Sequence, residues 1–190
     1  SALAVSTNSV NLGQGFPDFP PPEALIEAVA RHMRAGRNQY APMAGLPALG
    51  EQIARKLAVT QGVALDPAAE ITVTAGATQA IFCAIQAAIG PGDEAVLLDP
   101  AYDSYAPSVE LAGGVARFVR LTRPGFGIDW PALAGALTPR TRLVVINSPH
   151  NPSGALIPRG DLDRLAELLR PTPALVLADE VYEHLVYDGL

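Results

Sequence analysis

From Glu70 onward the chain carries five short apolar runs, at 71–74, 95–98, 115–119, 143–146 and 175–178, separated by stretches with helical spacing. Runs of four or five residues with little polar alternation are strands buried on both faces, and such strands joined by helices form a mainly parallel sheet. The predicted fold is therefore α/β, a mainly parallel sheet with flanking helices. Ahead of the sheet, residues 23–35 and 47–60 are predicted helices, with Ile26, Val29 and Met33 on one face of the first and Leu49, Ile53 and Leu57 on one face of the second. Asn38-Gln39-Tyr40-Ala41-Pro42 joins them as a loop. The first twenty residues are rich in Gly and Pro and are predicted to be irregular, leading into an extended Pro-rich arm. A helix over 162–169, striped by Leu165, Leu168 and Leu169, precedes the last run.

Composition narrows the function classes. With 190 residues and 49% hydrophobic content the chain can bury a core, while a formal net charge of −6 and scattered arginines exclude a nucleic-acid or anionic-membrane footprint. No stretch is long enough to span a bilayer, and the start lacks a basic flank and a signal-like apolar segment. The one cysteine, Cys83, lies in an apolar run and reads as a small core residue, so no disulfide framework is predicted and a reducing, cytoplasmic setting follows. His32, His150 and His184 have no spacing that suits a metal, and His150 reads as an exposed loop histidine. Asp93 and Glu94, after the turn Pro91-Gly92, read as surface carboxylates, and Asp161 and Asp163 suit a helix start.

In parallel α/β sheets ligands sit beyond the carboxyl ends of the strands, so the residues closing each apolar run carry the chemistry. The first run is followed by Ala75-Gly76-Ala77-Thr78-Gln79-Ala80, a small-residue turn opening a helix. It serves either as a plain tight turn or as a phosphate cradle built from free N–H groups and the Thr78 hydroxyl. The second is followed by Asp99-Pro100-Ala101-Tyr102-Asp103-Ser104-Tyr105, where Tyr102 can pack over the sheet end or lie flat on a planar ligand. The fourth ends in Asn147-Ser148-Pro149-His150-Asn151-Pro152-Ser153-Gly154, whose prolines stiffen a loop that leaves Asn147 and Asn151 as amide donors. The fifth ends in Asp179-Glu180-Val181-Tyr182, and an aspartate closing a buried strand is costly unless it meets a cation or several donors, so a positive group is predicted to face Asp179.

Taken in this order, these residues resemble the class I/II aminotransferases of the fold-type I pyridoxal-phosphate (PLP) family, and the resemblance runs over essentially the whole chain. Asn11-Leu12-Gly13-Gln14-Gly15-Phe16-Pro17-Asp18-Phe19 is similar to the opening of the kynurenine, glutamine and methionine aminotransferase branch. The resemblance implies a PLP-transferase-like large domain over 46–190, incomplete at its C-terminus, and an arm and first helix over 1–45 that make small-domain and dimer contacts. It implies that Asp179 pairs with the pyridine nitrogen and that Asn151 and Tyr182 hydrogen-bond the ring's phenolic oxygen, with Asn147 nearby. Tyr102 stacks on the ring, and Gly76, Ala77 and Thr78 take the phosphate. Tyr40 reaches the phosphate of a neighbouring subunit, which implies a homodimer, and Gly15 lines the substrate side.

The implied activity is transfer of an amino group from an aromatic, sulfur-containing or glutamine-like L-amino acid to a 2-oxo acid. A C–S β-lyase shares the same binding half, and a non-catalytic PLP-binding chain is the reading from another class. The family's Schiff-base lysine and its two arginines are expected beyond Leu190. Lys56, the one lysine here, follows Arg55 on an amphipathic helix and reads as a solvated surface residue.

Overall fold

The computed structural model describes residues 2–11, 13, 15 and 17–189. The chain divides into two compact units, residues 1–43 and 44–190. The first unit holds helix α1 (Ala2–Thr7) and helix α2 (Glu23–Arg34). The short α1 departs from the irregular start predicted above: Ala2 to Thr7 contains no helix breaker, and the Ser6 and Thr7 hydroxyls both donate back to the Leu3 carbonyl. Asn8, at φ +51°, ends it. Pro22 caps α2 by accepting the Leu25 and Ile26 N–H groups, and Arg31, His32 and Arg34 in its last turn suit the negative end of the helix dipole. Ile26, Val29 and Met33 share a face as predicted, and all three are exposed.

The second unit opens with helix α3 (Pro47–Gln61), which begins with Pro at its first position and stops at Gly62 in the left-handed region. Residues 71–74 follow, and here the structure corrects the sequence: they form no strand. Ile71 is buried, but the one hydrogen bond recorded for this segment's N–H groups takes Val73 to the carbonyl of Ala44 and not to a sheet neighbour. The remaining elements alternate regularly. Helix α4 (Ala77–Ala88) leads to strand β1 (Glu94–Asp99), helix α5 (Tyr105–Leu111) to β2 (Val115–Arg120), helix α6 (Trp130–Ala136) to β3 (Thr141–Asn147), and helix α7 (Arg159–Leu169) to β4 (Leu175–Asp179).

All pairings are parallel and the strand order is β2-β1-β3-β4. The chain steps outward from β1 to β2, crosses back to β3 and continues to β4, so the order reverses between β1 and β3. That reversal sends the loops after β1 and β3 in opposite directions and opens a crevice at their carboxyl ends. Alternate residues of the two central strands face opposite layers. Val96, Leu98, Val144 and Ile146 pack with Leu133 of α6 and with Leu165 and Leu169 of α7. Ala95, Leu97, Leu143 and Val145 pack with Ile81 and Ile85 of α4 and with Tyr105 and Val109 of α5. Each of these Leu, Ile or Val side chains contributes about 1.5–3 kcal/mol of burial free energy before chain entropy is counted.

Two further expectations fail in this unit. Cys83 is exposed, because the buried stripe of α4 is Ile81 and Ile85 and Cys83 falls between them on the far side. Glu94 is buried at the amino end of β1, where Arg117 Nη2 donates to Oε1 at 2.8 Å, Arg140 Nη2 donates to Oε1 at 2.5 Å and Thr138 Oγ1 donates to Oε2 at 2.7 Å. These bonds, that from Arg117 foremost, hold its carboxyl at a pKa of about 2. Asp93 beside it pairs with Arg142 at 3.4 Å. The carboxylates predicted as surface chemistry thus form the ion-paired foot of the sheet, at the end opposite the crevice.

Candidate active site

The crevice holds a cavity of about 270 Å³. Ala77 and Thr78 enter it from the first turn of α4, Tyr102 from the loop after β1, Asn147 and Asn151 from the end of β3, and Asp179 and Tyr182 from the end of β4. These seven residues from four separate strand and helix ends were all singled out in the sequence. Gly76 is the N-cap of α4 at φ +90°, ψ 165°, a conformation open essentially to glycine alone, and a Cβ there would meet nothing within 4 Å. Glycine is therefore required by the backbone turn and not by crowding. Tyr40 and Gly15 belong to the first unit, and both are exposed.

Asp179 is the electrostatic centre of the cavity. It is buried, and two donors meet its carboxylate: the Tyr105 hydroxyl donates to Oδ2 at 2.6 Å and the Val181 N–H donates to Oδ1 at 3.2 Å. No salt bridge reaches it among the described residues, so donors and not a cation satisfy it. Its carbonyl accepts the Asn147 side-chain N–H at 2.8 Å and the Ser148 N–H at 3.2 Å, which fixes the end of β4 against the end of β3. Asn147 Oδ1 in turn accepts the Asn151 N–H at 2.6 Å. Neither the Asn151 side-chain amide nor the Tyr182 hydroxyl bonds to another described residue.

Tyr105 was missed as a site residue. The signal was a second tyrosine three residues after Tyr102, but its role depends on α5 turning it under the sheet end toward β4. Burial, and next the hydrogen bond to Asp179, push its pKa well above the ordinary phenol range, so it stays a neutral donor. The Tyr102 ring meets its edge at 5.7 Å between centroids and 73° between planes. The Tyr102 hydroxyl lies 3.4 Å from that of Thr78. His150 corrects the sequence in the other direction: it is buried, with its ring bonded to Ser153 and Pro100. Lys56 lies on α3 and pairs with Glu183 in the turn after β4, outside the cavity lining.

A family model, "Aminotransferase class I and II", matches residues 7–190. The chain belongs to the class I and II aminotransferase family. Methionine aminotransferase of Escherichia coli is 46% identical over 99% of this chain and 49% of its own length, and human kynurenine–oxoglutarate transaminase 1 is 38% identical over 98% of the chain and 47% of its own. Among solved structures, N-succinyldiaminopimelate aminotransferase from Mycobacterium tuberculosis superposes with a TM-score of 0.95 at 44% identity, covering 100% of this chain and 50% of that one. The chain spans about half the length of the curated relatives it matches.

Membership of the aminotransferase family implies PLP, and the donor set of the cavity fits it. The lining offers a carboxylate able to pair with a cationic ring nitrogen, and an uncommitted amide and phenol able to donate to an oxyanion. The first-turn N–H groups of α4 have no partner inside the helix, the kind of donor set that binds a phosphate. A cavity of this size suits a single ring with a phosphate arm. Among the described residues no group of three or more His, Cys, Asp or Glu side chains is placed to hold a metal ion. No helix of the described residues is long and apolar enough to cross a membrane.

Proposed function

We propose that the protein carrying this chain is a PLP-dependent aminotransferase, moving an amino group from an L-amino acid to a 2-oxo acid. The observation that carries this reading is Asp179: a buried carboxylate at a strand end, held by two donors and facing a cavity that also offers Tyr102, Asn151 and Tyr182. When bound, PLP supplies an electron sink for charge developing on the substrate Cα. Asp179 keeps a proton on the ring nitrogen, Asn151 and Tyr182 donate to the phenolic oxygen, Tyr102 covers the ring face, and Gly76, Ala77 and Thr78 hold the phosphate. Asn147 positions Asn151 and Asp179 by the bonds described above. Lys56 pairs with Glu183 and does not line the cavity, so this reading gives it no part in the chemistry.

Aromatic, sulfur-containing and glutamine-like amino acids are the proposed donors. The relatives, named for methionine, kynurenine, aspartate and N-succinyldiaminopimelate, support the transfer chemistry they have in common and not one substrate. A cytoplasmic homodimer is part of the proposal, with Tyr40 reaching the neighbouring subunit's phosphate site and Gly15 the substrate side. Titration of the protein with PLP tests the reading, followed by amino-group transfer measured against pyruvate release to separate it from a C–S β-lyase. The expected result is stoichiometric PLP uptake and transfer, with Asp179→Ala weakening PLP by about 100-fold or more, the scale of a broken buried charge pair. A protein that takes up no PLP overturns it.

A further inference from the structure

His150 does not line the cavity proposed for the cofactor; it lines a separate pocket of about 20 Å³. It is 7% exposed, and both ring nitrogens are engaged. Nε2 lies 2.9 Å from the carbonyl oxygen of Pro100, which can only accept, so Nε2 carries the proton. Nδ1 is then the acceptor for the Ser153 hydroxyl at 2.6 Å, and Ser153 Oγ accepts the Ala155 N–H at 3.2 Å. Burial pushes the pKa of the imidazole down, in keeping with a neutral ring of fixed tautomer. The backbone is pinned as well: the His150 N–H donates to the Ala155 carbonyl at 2.9 Å and its carbonyl accepts the Gly154 N–H at 2.7 Å.

The ring therefore spans the two loops that diverge at the strand-order reversal. Pro100 lies two residues before Tyr102, and His150 lies one residue before Asn151. With the Asn151–Asn147 and Asn147–Asp179 bonds, the imidazole completes a chain of hydrogen bonds across the ends of β1, β3 and β4. We propose that His150 is a positioning residue, a strut whose Nε2–H bond to Pro100 sets the gap between Tyr102 and Asn151 and thereby the affinity for the cofactor ring. The inference rests on the PLP reading above and goes beyond it, since His150 touches neither ring nor substrate.

The test compares His150→Gln, His150→Asn and His150→Leu in the protein that carries this chain. Glutamine extends an N–H donor about as far as Nε2; asparagine is too short to reach Pro100, and leucine fills space without a donor. PLP dissociation constants are read by titrating each apoprotein, with thermal midpoints of the same apoproteins as the folding control. The expected result is that Asn and Leu weaken PLP about ten-fold or more, the scale of one lost buried hydrogen bond, while Gln stays within about three-fold of the parent. If Leu does not fold, the Gln and Asn pair decides alone. Equal losses in Gln and Asn, or losses in thermal midpoint with unchanged PLP affinity, overturn the proposal and leave His150 a packing residue. Absence of PLP uptake by the unsubstituted protein overturns the cofactor reading instead, and this inference with it.

Discussion

Replacing Tyr105 by Phe removes one oxygen from the core and leaves the ring that packs against Tyr102 and Val109 in place. The oxygen lost is the one 2.6 Å from Asp179 Oδ2, and the other donor to that carboxylate, Val181 N–H, sits at 3.2 Å on the opposite oxygen. The shorter and more buried bond is the one removed, and Oδ2 is left without its donor. Hydrogen bonds to charged groups contribute about 1.5–3 kcal/mol. For a protein of roughly this size, each kcal/mol moves the thermal midpoint by about 2–4 °C, so Tyr105→Phe should lower that of the apoprotein by about 3–12 °C. In an Asp179→Asn background the same substitution should have a much smaller effect, because the charge that strengthened the bond is gone. The phenol adds a pH signature. Its pKa is raised above the ordinary value of 10.0, so the stability it confers is fully present below pH 10 and is lost as pH rises beyond that, when the unfolded phenol ionises and the folded one does not. Denaturation between pH 8 and 11 should show this decline in the parent and a shallower one in Tyr105→Phe. An unchanged midpoint, or an equal loss in the Asp179→Asn background, refutes the pairing as a source of stability.

Three other outcomes are expected. Glu94 has a depressed pKa, so its contribution is present above about pH 4.5 and fades as pH falls toward 2; Glu94→Gln should lower stability at neutral pH and flatten that acid limb in denaturant titrations from pH 2 to 6. Gly76→Ala places a side chain at φ +90° and should cost about 1–3 kcal/mol in backbone strain, read as a lower thermal midpoint of the apoprotein, or as weaker PLP binding where the turn relaxes to relieve the strain. Cys83→Ser should change stability by less than about 0.5 kcal/mol, and the thiol of the folded protein should react with an aqueous thiol reagent at a rate close to that of the denatured chain.

Much of the sheet was legible because an apolar run of a given length reports burial on two faces, and four of the five runs are strands within one or two residues of their predicted bounds. The run at 71–74 alternates Ile and Val with threonine and has no strand beside it among the described residues, and pattern alone does not name a partner. Cys83 was misread for a related reason: residues two apart on a helix point about 200° apart, so Ile81 in the core places Cys83 outside it, however apolar the neighbourhood. Strand-end residues such as Tyr102, Asn151 and Asp179 could be marked as facing one crevice without knowing the strand order. Tyr105 and His150 could not, because their partners, Asp179 and Pro100, become neighbours only once β1 is known to lie beside β3.

The same strand order governs when the crevice can form. Tyr105 and Asp179 are 74 positions apart, and His150 and Pro100 are 50 apart. Contacts of such long range are made only after the intervening helices have folded back over the sheet, and closing them is slow. On a ribosome, Tyr105 would emerge and wait, buried against α4 or not, until β4 had been synthesised and docked. The proposed ligand site is thus incomplete until β4 has docked, and a trapped partial fold would hold a sheet without a site.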